Sequence, residues 1–354
     1  MVTIASSPEQ ITPEWLTLAL QESGHLPVGE VIDAEYELIG TGKMGDNARY
    51  TLTYDGDYGA PATLIAKLPA SDEKARTMAG ALGAYYNEVM FYKHLAPRTE
   101  MRTPAIYANE VNAEGTEFVT LMEDLAPAQP GSQLRGESLE HTRLALQQAA
   151  KLAASFYGDE EIGALDFVTA SARADGGAQG GELMQQCWPQ FVDRFGHGLS
   201  SECIALGERY VDRHLHFVTR YQGKKTLIHG DFRCENVLFG PDTATIVDWQ
   251  TVGESSALTD AAYFMGGSVD IPQRREWERQ LIGAYADWLN AAGVDLGFQD
   301  CWEQYREFAM HGILITVLGA CFTEAAERSD RMFLAMIQRH LQQCVDLDSS
   351  DFLE

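Results

Sequence analysis

The sequence predicts an α+β fold in which a small antiparallel sheet with one key helix precedes a larger, mostly helical region. The first third of the chain contains short runs with the two-residue alternation or the apolar content of strands. From residue 138 onward, apolar residues recur three or four positions apart, as they do in helices. A β-hairpin is expected within this helical region, because the apolar residues 237–239 and 246–247 flank the turn-forming residues 240–243.

The predicted elements follow from these patterns and from their stop signals, such as Pro69 after a strand and Gly158 after a helix. The predicted strands are 36–39, 48–54, 63–68 and 117–122, and the predicted helices are 13–23, 82–95, 138–157, and further helices within 187–221, within 272–292 and from 298 to near the end. The small polar stretch 171–181 is predicted to be a loop, either a lid over a substrate or an ordinary surface loop.

The length of 354 residues suggests about two domains, each large enough to bury its own core. Pro127, Pro130 and Gly131 mark a connector between the strands and the helices. We therefore predict a first domain at 1–124, which holds the sheet and the N-terminal helix, and a second domain at 125–354.

The chain is strongly acidic, with 52 Asp and Glu against 26 Lys and Arg and a formal net charge of −26. This balance argues against a nucleic-acid partner, which needs basic patches, and against an anionic membrane surface. A small neutral or cationic substrate remains compatible with it, and acidity that serves solubility alone explains the charge equally well. The sequence does not indicate an oligomeric state.

The cysteines and the first residues bear on the compartment. The six cysteines contain no CxxC pair, which suggests buried thiols in a reducing environment. The first ten residues lack the basic start and the apolar core of a signal peptide. The longest apolar run, 312–322, is too short to span a bilayer. We therefore expect a cytoplasmic protein without a membrane partner.

A glycine turn follows the first predicted strand. Gly40, Gly42 and Gly45 have the GxGxxG spacing, which is a weak signal by itself. A dinucleotide site would require a helix next, but residues 48–54 alternate like a strand. Strand, glycine turn and strand is the arrangement that places backbone N–H groups over ATP phosphates. A glycine-rich turn that binds no ligand is the alternative.

Lys67 and Glu88 are two charges in otherwise apolar surroundings. Lys67 lies inside the predicted strand 63–68, where an ammonium is costly unless it is paired. Glu88 shares one helical stripe with Tyr85 and Tyr92. A Lys67–Glu88 pair would resolve both charges and would direct Lys67 to the ATP phosphates. Alternatively, Glu88 is exposed at the edge of its helix.

Residues Glu123, Asp124 and Leu125 follow the last predicted strand of the first domain. An irregular link at this point can offer backbone N–H and C=O groups to adenine. We therefore expect these three residues to contact the nucleotide.

Three oxygen-bearing side chains, Asp231, Asn236 and Asp248, flank the predicted hairpin. Carboxylate and amide oxygens are ligands that Mg²⁺ prefers, together with phosphates. The spacing of Asp231 and Asn236, and a later Asp after a strand, match a kinase catalytic loop and its metal ligands. Side chains that only form turns are the alternative.

Three further residues lie near the hairpin. His229 is expected to be structural rather than a proton carrier. Arg233 is placed either to touch the γ-phosphate or to be exposed. Asp260, at the start of a predicted helix, either caps that helix or anchors the backbone of the catalytic loop.

The chain resembles the superfamily of aminoglycoside phosphotransferases and choline kinases, and within it the ecdysteroid-kinase-like (CHK-type) branch. The matching motifs are Gly40 to Gly45, LIAK ending at Lys67, YYNE ending at Glu88, VTLMEDL at 119–125, HGDFRCEN at 229–236 and IVDWQ at 246–250. They run in order over residues 36–268.

The resemblance implies a bilobal protein-kinase-like fold and ATP-dependent phosphorylation of a hydroxyl on a small molecule. It also implies Asp231 as the catalytic base and Asn236 and Asp248 as Mg²⁺ ligands. Trp249 and Gln250 stand where protein kinases have Phe-Gly, so a flipped inactive state need not apply.

Asp260 follows Asp248 by only 12 positions, and no Ala-Pro-Glu motif lies between them, which leaves little room to dock a peptide. A protein kinase is therefore disfavoured. A pseudokinase that binds ATP and regulates a partner is the other alternative. It is disfavoured because degenerate kinases typically lose one of four residues that are all intact here, Lys67, Asp231, Asn236 and Asp248. Aromatic residues in the late helices (Trp288, Trp302, Tyr305, Phe308) either line an apolar acceptor pocket or form a helix core.

Overall fold

The computed structural model describes residues 2–40, 44–168 and 174–354. The described residues divide into two compact units. The first unit contains the chain up to Arg98, Thr103–Pro127 and Val247–Thr251, and the second contains Thr99–Arg102, Ala128–Ile246 and Val252–Glu354.

The first unit is built on a five-stranded antiparallel sheet with the strand order β1-β2-β3-β5-β4. Its strands are β1 (Val31–Ile39), β2 (Gly45–Tyr54), β3 (Thr63–Pro69), β4 (Ile106–Val111) and β5 (Phe118–Glu123). Its helices are α1 (Pro13–Glu22), α2 (Glu73–Ala81) and α3 (Ala84–Met90), and α3 continues as a π-helical turn at Phe91–Leu95.

The two faces of the sheet belong to different hydrophobic clusters. Leu16 and Leu20 of α1 share a buried cluster with alternate residues of β3, Leu64, Ala66 and Leu68. Because side chains alternate along a strand, Lys67 projects from the opposite face of β3. The alternation of β3 therefore directs a lysine to the side of the sheet that α3 covers, where it meets Glu88.

The second unit is mostly helical. Its helices are α4 (Leu139–Phe156), α5 (Ala174–Phe195), α6 (Ser201–Arg220), α7 (Thr259–Ser268), α8 (Ile271–Ala291), α9 (Phe298–Phe308), α10 (His311–Cys321) and α11 (Glu327–Asp346). Its short strands are β6 (Gln129–Pro130), β7 (Thr226–Ile228), β8 (Val237–Phe239), β9 (Ala244–Ile246) and β10 (Gly253–Ser255). The predicted hairpin is confirmed, since β8 pairs antiparallel with β9.

Every residue of α7 is buried. This helix is buried on all sides, as expected for a helix in the interior of a helical unit, and its few polar side chains include Asp260. Of the late aromatic residues, Trp302, Tyr305 and Phe308 are buried, in agreement with a helix core.

The structure confirms the predicted α+β class and the helical character of the larger part, and it corrects three local predictions. The helix predicted over 82–95 is interrupted at its start, because Gly83 adopts a left-handed conformation with φ of +70° and separates α2 from α3. The helix α2 and the strand β4 were not predicted.

The third correction concerns the stretch 171–181. It was predicted to be a loop, but α5 begins at Ala174, and residues 171–173 lie outside the described part of the chain. A Cβ atom at Gly180 would lie 3.0 Å from Nε2 of His214 on α6. The glycines that suggested a loop thus allow two helices to pack closely.

Two further findings concern the cysteines and membrane segments. Cys321 is half-buried, the other five cysteines are buried, and none of the six, all of which the structure describes, forms a disulfide. No helix within the described ranges is both long and apolar enough to cross a bilayer.

Candidate active site

The first unit contains a buried ion pair. Lys67 Nζ donates to Glu88 Oε2 at 2.6 Å, and Glu88 is fully buried. Burial lowers the pKa of Lys67, but the charges of Asp248 and Glu88 outweigh it and raise the pKa above its usual value. Burial raises the pKa of Glu88, and the Lys67 charge opposes this shift. The predicted pair is present, and the exposed position considered for Glu88 is wrong.

Asp248 is the second partner of Lys67. Its Oδ1 lies 3.1 Å from Lys67 Nζ, and 39% of its side chain remains exposed. Asp248 also adopts a left-handed backbone conformation with φ of +71°, which is costly for a residue with a side chain. Such strain is typical of functional sites, and it sets the direction of this carboxylate.

The two residues after Asp248, Trp249 and Gln250, contact α3 and its π-helical continuation. The Trp249 ring is fully buried and stacks on Phe91 with 3.5 Å between ring centroids. Gln250 donates to Glu88 Oε2 at 3.4 Å, and its backbone oxygen accepts from Asn87 at 3.1 Å. The segment that carries Asp248 is therefore held by the same helix that carries Glu88.

The two strands predicted on either side of the glycine residues are confirmed, since β1 pairs antiparallel with β2, and residues 41–43 between them lie outside the described part of the chain. Gly40 has a φ of +77°, which favours glycine, and Gly45 begins β2 opposite Pro69. Gly42 lies outside the described residues. The contact of this turn with phosphates stays a prediction.

Glu123 ends β5, and its carboxylate accepts a hydrogen bond from the Ala105 backbone N–H at 3.0 Å. Asp124 forms an ion pair with Arg49 at 2.9 Å. These side chains thus make contacts within the protein, and the Glu123 backbone N–H donates to the Ala105 carbonyl oxygen at 2.9 Å. Their contact with the nucleotide, including that of Leu125, stays a prediction.

The second unit holds Asp231 on the loop between β7 and β8. One carboxylate oxygen, Oδ2, accepts from Arg233 Nε and from Asn236 Nδ2, both at 3.1 Å. Arg233 also pairs with Glu235 at 2.8 Å. The structure thus brings together three of the predicted site residues, Asp231, Arg233 and Asn236.

Asp260 resolves an alternative that the sequence left open. It does not cap α7; its buried carboxylate accepts from the backbone N–H groups of His229 at 2.8 Å and Gly230 at 3.1 Å. Burial raises the pKa of Asp260, and His229 and the two N–H groups oppose this shift. Asp260 therefore anchors the backbone immediately before Asp231.

Two residues near Asp231 were missed by the sequence reasoning. Tyr263 donates from its hydroxyl to Asp231 Oδ1 at 2.7 Å, and His311 Nε2 lies 2.7 Å from the Gly230 carbonyl oxygen. Tyr263 follows Asp260 by one helical turn, so helical spacing could have placed it on the same face. His311 is 81 residues from Gly230, and no sequence pattern indicates their contact.

No group of three or more His, Cys, Asp and Glu side chains in the described ranges could hold a metal ion by itself. Asn236 uses its amide nitrogen as a donor to the Asp231 backbone oxygen at 2.9 Å, which leaves the amide oxygen as the atom suited to a cation. Amide and carboxylate oxygens such as those of Asn236 and Asp248 are ligands that Mg²⁺ prefers, and their binding of a metal stays a prediction.

Solved structures that are similar to this chain include phosphotransferases. A choline kinase from Cryptosporidium parvum Iowa II is 11% identical over 90% of this chain and 91% of its own, with a TM-score of 0.52. The ADP-bound aminoglycoside phosphotransferase APH(2'')-Ib is 13% identical over 89% and 95%, with a TM-score of 0.50. Its relative APH(2'')-IIa, in complex with gentamicin, is 14% identical over 96% and 97%, also with a TM-score of 0.50. These similarities confirm the predicted protein-kinase-like fold.

A comparison with curated protein sequences gave no match. The sequence profile of the Ecdysteroid kinase-like family (EcKL) matches residues 47–298, which is more than half of the chain. The range contains Lys67, Glu88, Asp231, Asn236 and Asp248. The chain therefore belongs to the ecdysteroid kinase-like family.

Proposed function

We propose that this chain is an ATP- and Mg²⁺-dependent kinase that transfers the γ-phosphate of ATP to a hydroxyl group of a small molecule. The observation that carries the proposal is the Lys67 ammonium, which is buried between the carboxylates of Glu88 and Asp248. A buried charge network is weak evidence for stability alone, because hydrophobic side chains would serve as well. A cation fixed in this way suits the α- and β-phosphates of a nucleotide.

In this proposal, Lys67 binds the phosphates, the turn of Gly40, Gly42 and Gly45 covers them, and the backbone of residues 123–125 contacts adenine. Asn236 immediately precedes β8 and Asp248 follows β9 by two residues, and both would hold Mg²⁺. When bound, Mg²⁺ would neutralise charge on the β- and γ-phosphates. The aminoglycoside phosphotransferase with ADP bound supports nucleotide use by this fold.

Asp231 would orient the acceptor hydroxyl and take its proton. A bond forms between the acceptor oxygen and the γ-phosphorus, and the bond between that phosphorus and the β–γ bridging oxygen breaks, so ADP leaves. Arg233 lies on the loop with Asp231 and would contact the transferred phosphoryl group. Positioning and electrostatic stabilisation supply most of the rate in such transfers, since the transition state is loose.

The acceptor in this proposal is a small molecule rather than a protein. The short interval between Asp248 and Asp260 contains β10 and the start of α7, without a long segment on which a peptide could dock. The choline kinase and the gentamicin-bound relative fit this substrate class, because choline and gentamicin are small molecules that carry hydroxyl groups.

The proposal is tested by Mg²⁺-dependent consumption of ATP with a panel of small alcohols. The variant Asp231→Asn should abolish turnover and leave ATP binding within about twofold, because the base is lost while the phosphate-binding groups remain. The matched control is Asp242→Asn, a change of an exposed aspartate in the β8–β9 turn, which should keep wild-type turnover.

Turnover retained by Asp231→Asn would show that Asp231 is not the base. ATP binding by the wild type without consumption, with every alcohol tested, would instead support an ATP-binding regulatory protein.

A further inference from the structure

The two oxygens of the Asp231 carboxylate have different surroundings. Among the described residues, Oδ2 accepts from both Arg233 and Asn236, whereas Oδ1 accepts from Tyr263 only. A carboxylate oxygen offers two lone pairs in the carboxylate plane. Oδ2 is therefore saturated, and Oδ1 keeps one lone pair for a further donor. The Asp231 side chain is 24% exposed, so a small hydroxyl compound can reach it.

Tyr263 can act only as a donor to this carboxylate. It is completely buried, and burial together with the charge of Asp231 raises its pKa well above the usual value. The phenol thus stays protonated, and its single hydrogen is committed to Oδ1 at 2.7 Å. A tyrosine in this state fixes the rotation of the carboxylate without competing for the proton of a substrate.

Two histidines hold the Tyr263 ring. The His340 ring stacks on it with 5.1 Å between centroids and 2° between planes, and the His311 ring meets it nearly edge-on at 5.5 Å. His311 also bonds the Gly230 carbonyl. His311 of α10 and His340 of α11 therefore both contact Tyr263 of α7, and His311 also contacts the loop that carries Asp231.

The His340 ring that stacks on Tyr263 is neutral. It is fully buried, neither ring nitrogen has a hydrogen-bond partner among the described residues, and burial lowers its pKa to about 3. A Cβ atom at Gly312 would lie 2.0 Å from its Nδ1. The glycine leaves room for this ring. Burial of two ring nitrogens without a hydrogen-bond partner among the described residues is costly, so the ring is held by its stacking on Tyr263 rather than by polar contacts.

We propose that Tyr263 is a positioning residue for phosphotransfer, which holds the Asp231 carboxylate so that the remaining lone pair of Oδ1 receives the proton of the acceptor hydroxyl. The inference rests on the proposed function. The competing explanation is that Tyr263 is a core residue whose hydroxyl bonds to the nearest acceptor and has no effect on the reaction.

The test uses Tyr263→Phe in the full chain, with water as the acceptor, because ATP hydrolysis requires no identified alcohol. The rate of ADP release per folded molecule should fall at least tenfold, while the Kd for ADP with Mg²⁺ stays within twofold. The matched control is Tyr285→Phe. Tyr285 is also completely buried and donates at 2.7 Å, but to the Ala257 carbonyl oxygen. For Tyr285→Phe, the rate of ADP release and the Kd for ADP with Mg²⁺ should both stay within twofold of wild type.

A second measurement does not depend on catalysis. The melting temperatures of Tyr263→Phe, Asp231→Ala and the double variant form a cycle. If the hydroxyl acts through Asp231, the loss caused by Tyr263→Phe should shrink by more than half when Asp231 is already alanine.

The proposal would be overturned if Tyr263→Phe hydrolysed ATP at the wild-type rate. It would also be overturned if the two single substitutions lowered the melting temperature additively in the double variant. If the wild type consumes ATP only with an alcohol of the panel, the same comparison is made with that alcohol. If it consumes no ATP with water or with any alcohol, the proposed function fails, and the catalytic role of Tyr263 fails with it. Non-additive melting losses in that case would still support the bond between Tyr263 and Asp231, so the two failures are distinguishable.

Discussion

Lys67 Nζ lies 2.6 Å from Glu88 Oε2 in the interior of the first unit, and the two residues come from a strand and a helix 21 positions apart. Glu88 Oε1 has no hydrogen-bond partner among the described residues. The Glu88 carboxylate therefore depends on Lys67 for most of its compensation. Removal of one member of a buried pair costs about 3–5 kcal/mol, because an uncompensated charge stays behind.

We expect Lys67→Met to lower the free energy of unfolding by about 3 kcal/mol, at the low end of that range because Glu88 can take up a proton. Glu88→Gln should cost less, since Lys67 keeps its contact with Asp248. The free energy of unfolding of the double variant should fall by less than the sum of the two single losses. Urea unfolding of the four proteins measures this coupling, and strictly additive losses would contradict a direct pair.

Asp260→Ala is expected to destabilise the protein by about 2–4 kcal/mol, because two buried backbone N–H groups lose their acceptor. Turnover should fall at least tenfold with unchanged ADP affinity, since the loop that carries Asp231 loses its anchor.

Thr259→Val at the preceding position is the control, because it removes one neutral hydrogen bond, to Ser255 at 2.8 Å. It should cost about 1 kcal/mol and leave turnover unchanged. Chemical unfolding and steady-state ATPase assays measure both variants. Equal turnover in Asp260→Ala and wild type would show that the anchor does not affect the reaction.

Trp249→Ala should cost about 3–5 kcal/mol, because it empties a fully buried site against Phe91. Trp249→Phe keeps an aromatic ring there and should cost less than half as much. If this packing sets the direction of Asp248, Trp249→Ala should also weaken ADP binding with Mg²⁺ at least tenfold. Calorimetric titration of the folded variants tests this, and equal affinities for wild type and Trp249→Ala would refute the link.

Part of the fold and of the candidate site was predictable because its signals are local. The buried pair followed from a lysine inside an apolar strand and from the helical stripe that contains Glu88. The hairpin followed from two apolar runs that flank a turn. In each case, burial and periodicity act over a few residues, so the sequence carries the information directly.

The rest depends on contacts between distant segments. The helical start of α5 was missed because glycine composition suggests a loop, whereas Gly180 suits the close approach of the His214 ring. The sequence left the role of Asp260 open because a cap and a loop anchor require the same residue at the same position. The contact of His311 with Gly230 has no local signal at all.

The buried His214 should make the protein less stable in acid. Only 2% of the residue is exposed, and burial lowers its pKa from 6.5 to about 4. Between these values the unfolded chain binds a proton that the folded chain excludes, so the stability falls as the pH drops below about 6.5 and this loss is complete near pH 4. From pH 7 to pH 5, the linkage predicts a loss of about 2 kcal/mol from this residue.

His214→Leu removes this titration and keeps an apolar side chain beside Tyr210. The other groups titrate equally in both proteins, so their contributions cancel in the comparison. The free energy of unfolding in urea should therefore drop by about 2 kcal/mol less in His214→Leu than in wild type between pH 7 and pH 5. The variant can be less stable than wild type at pH 7 without affecting this difference. Parallel pH dependences of the two proteins would show that the folded chain accommodates a charged His214.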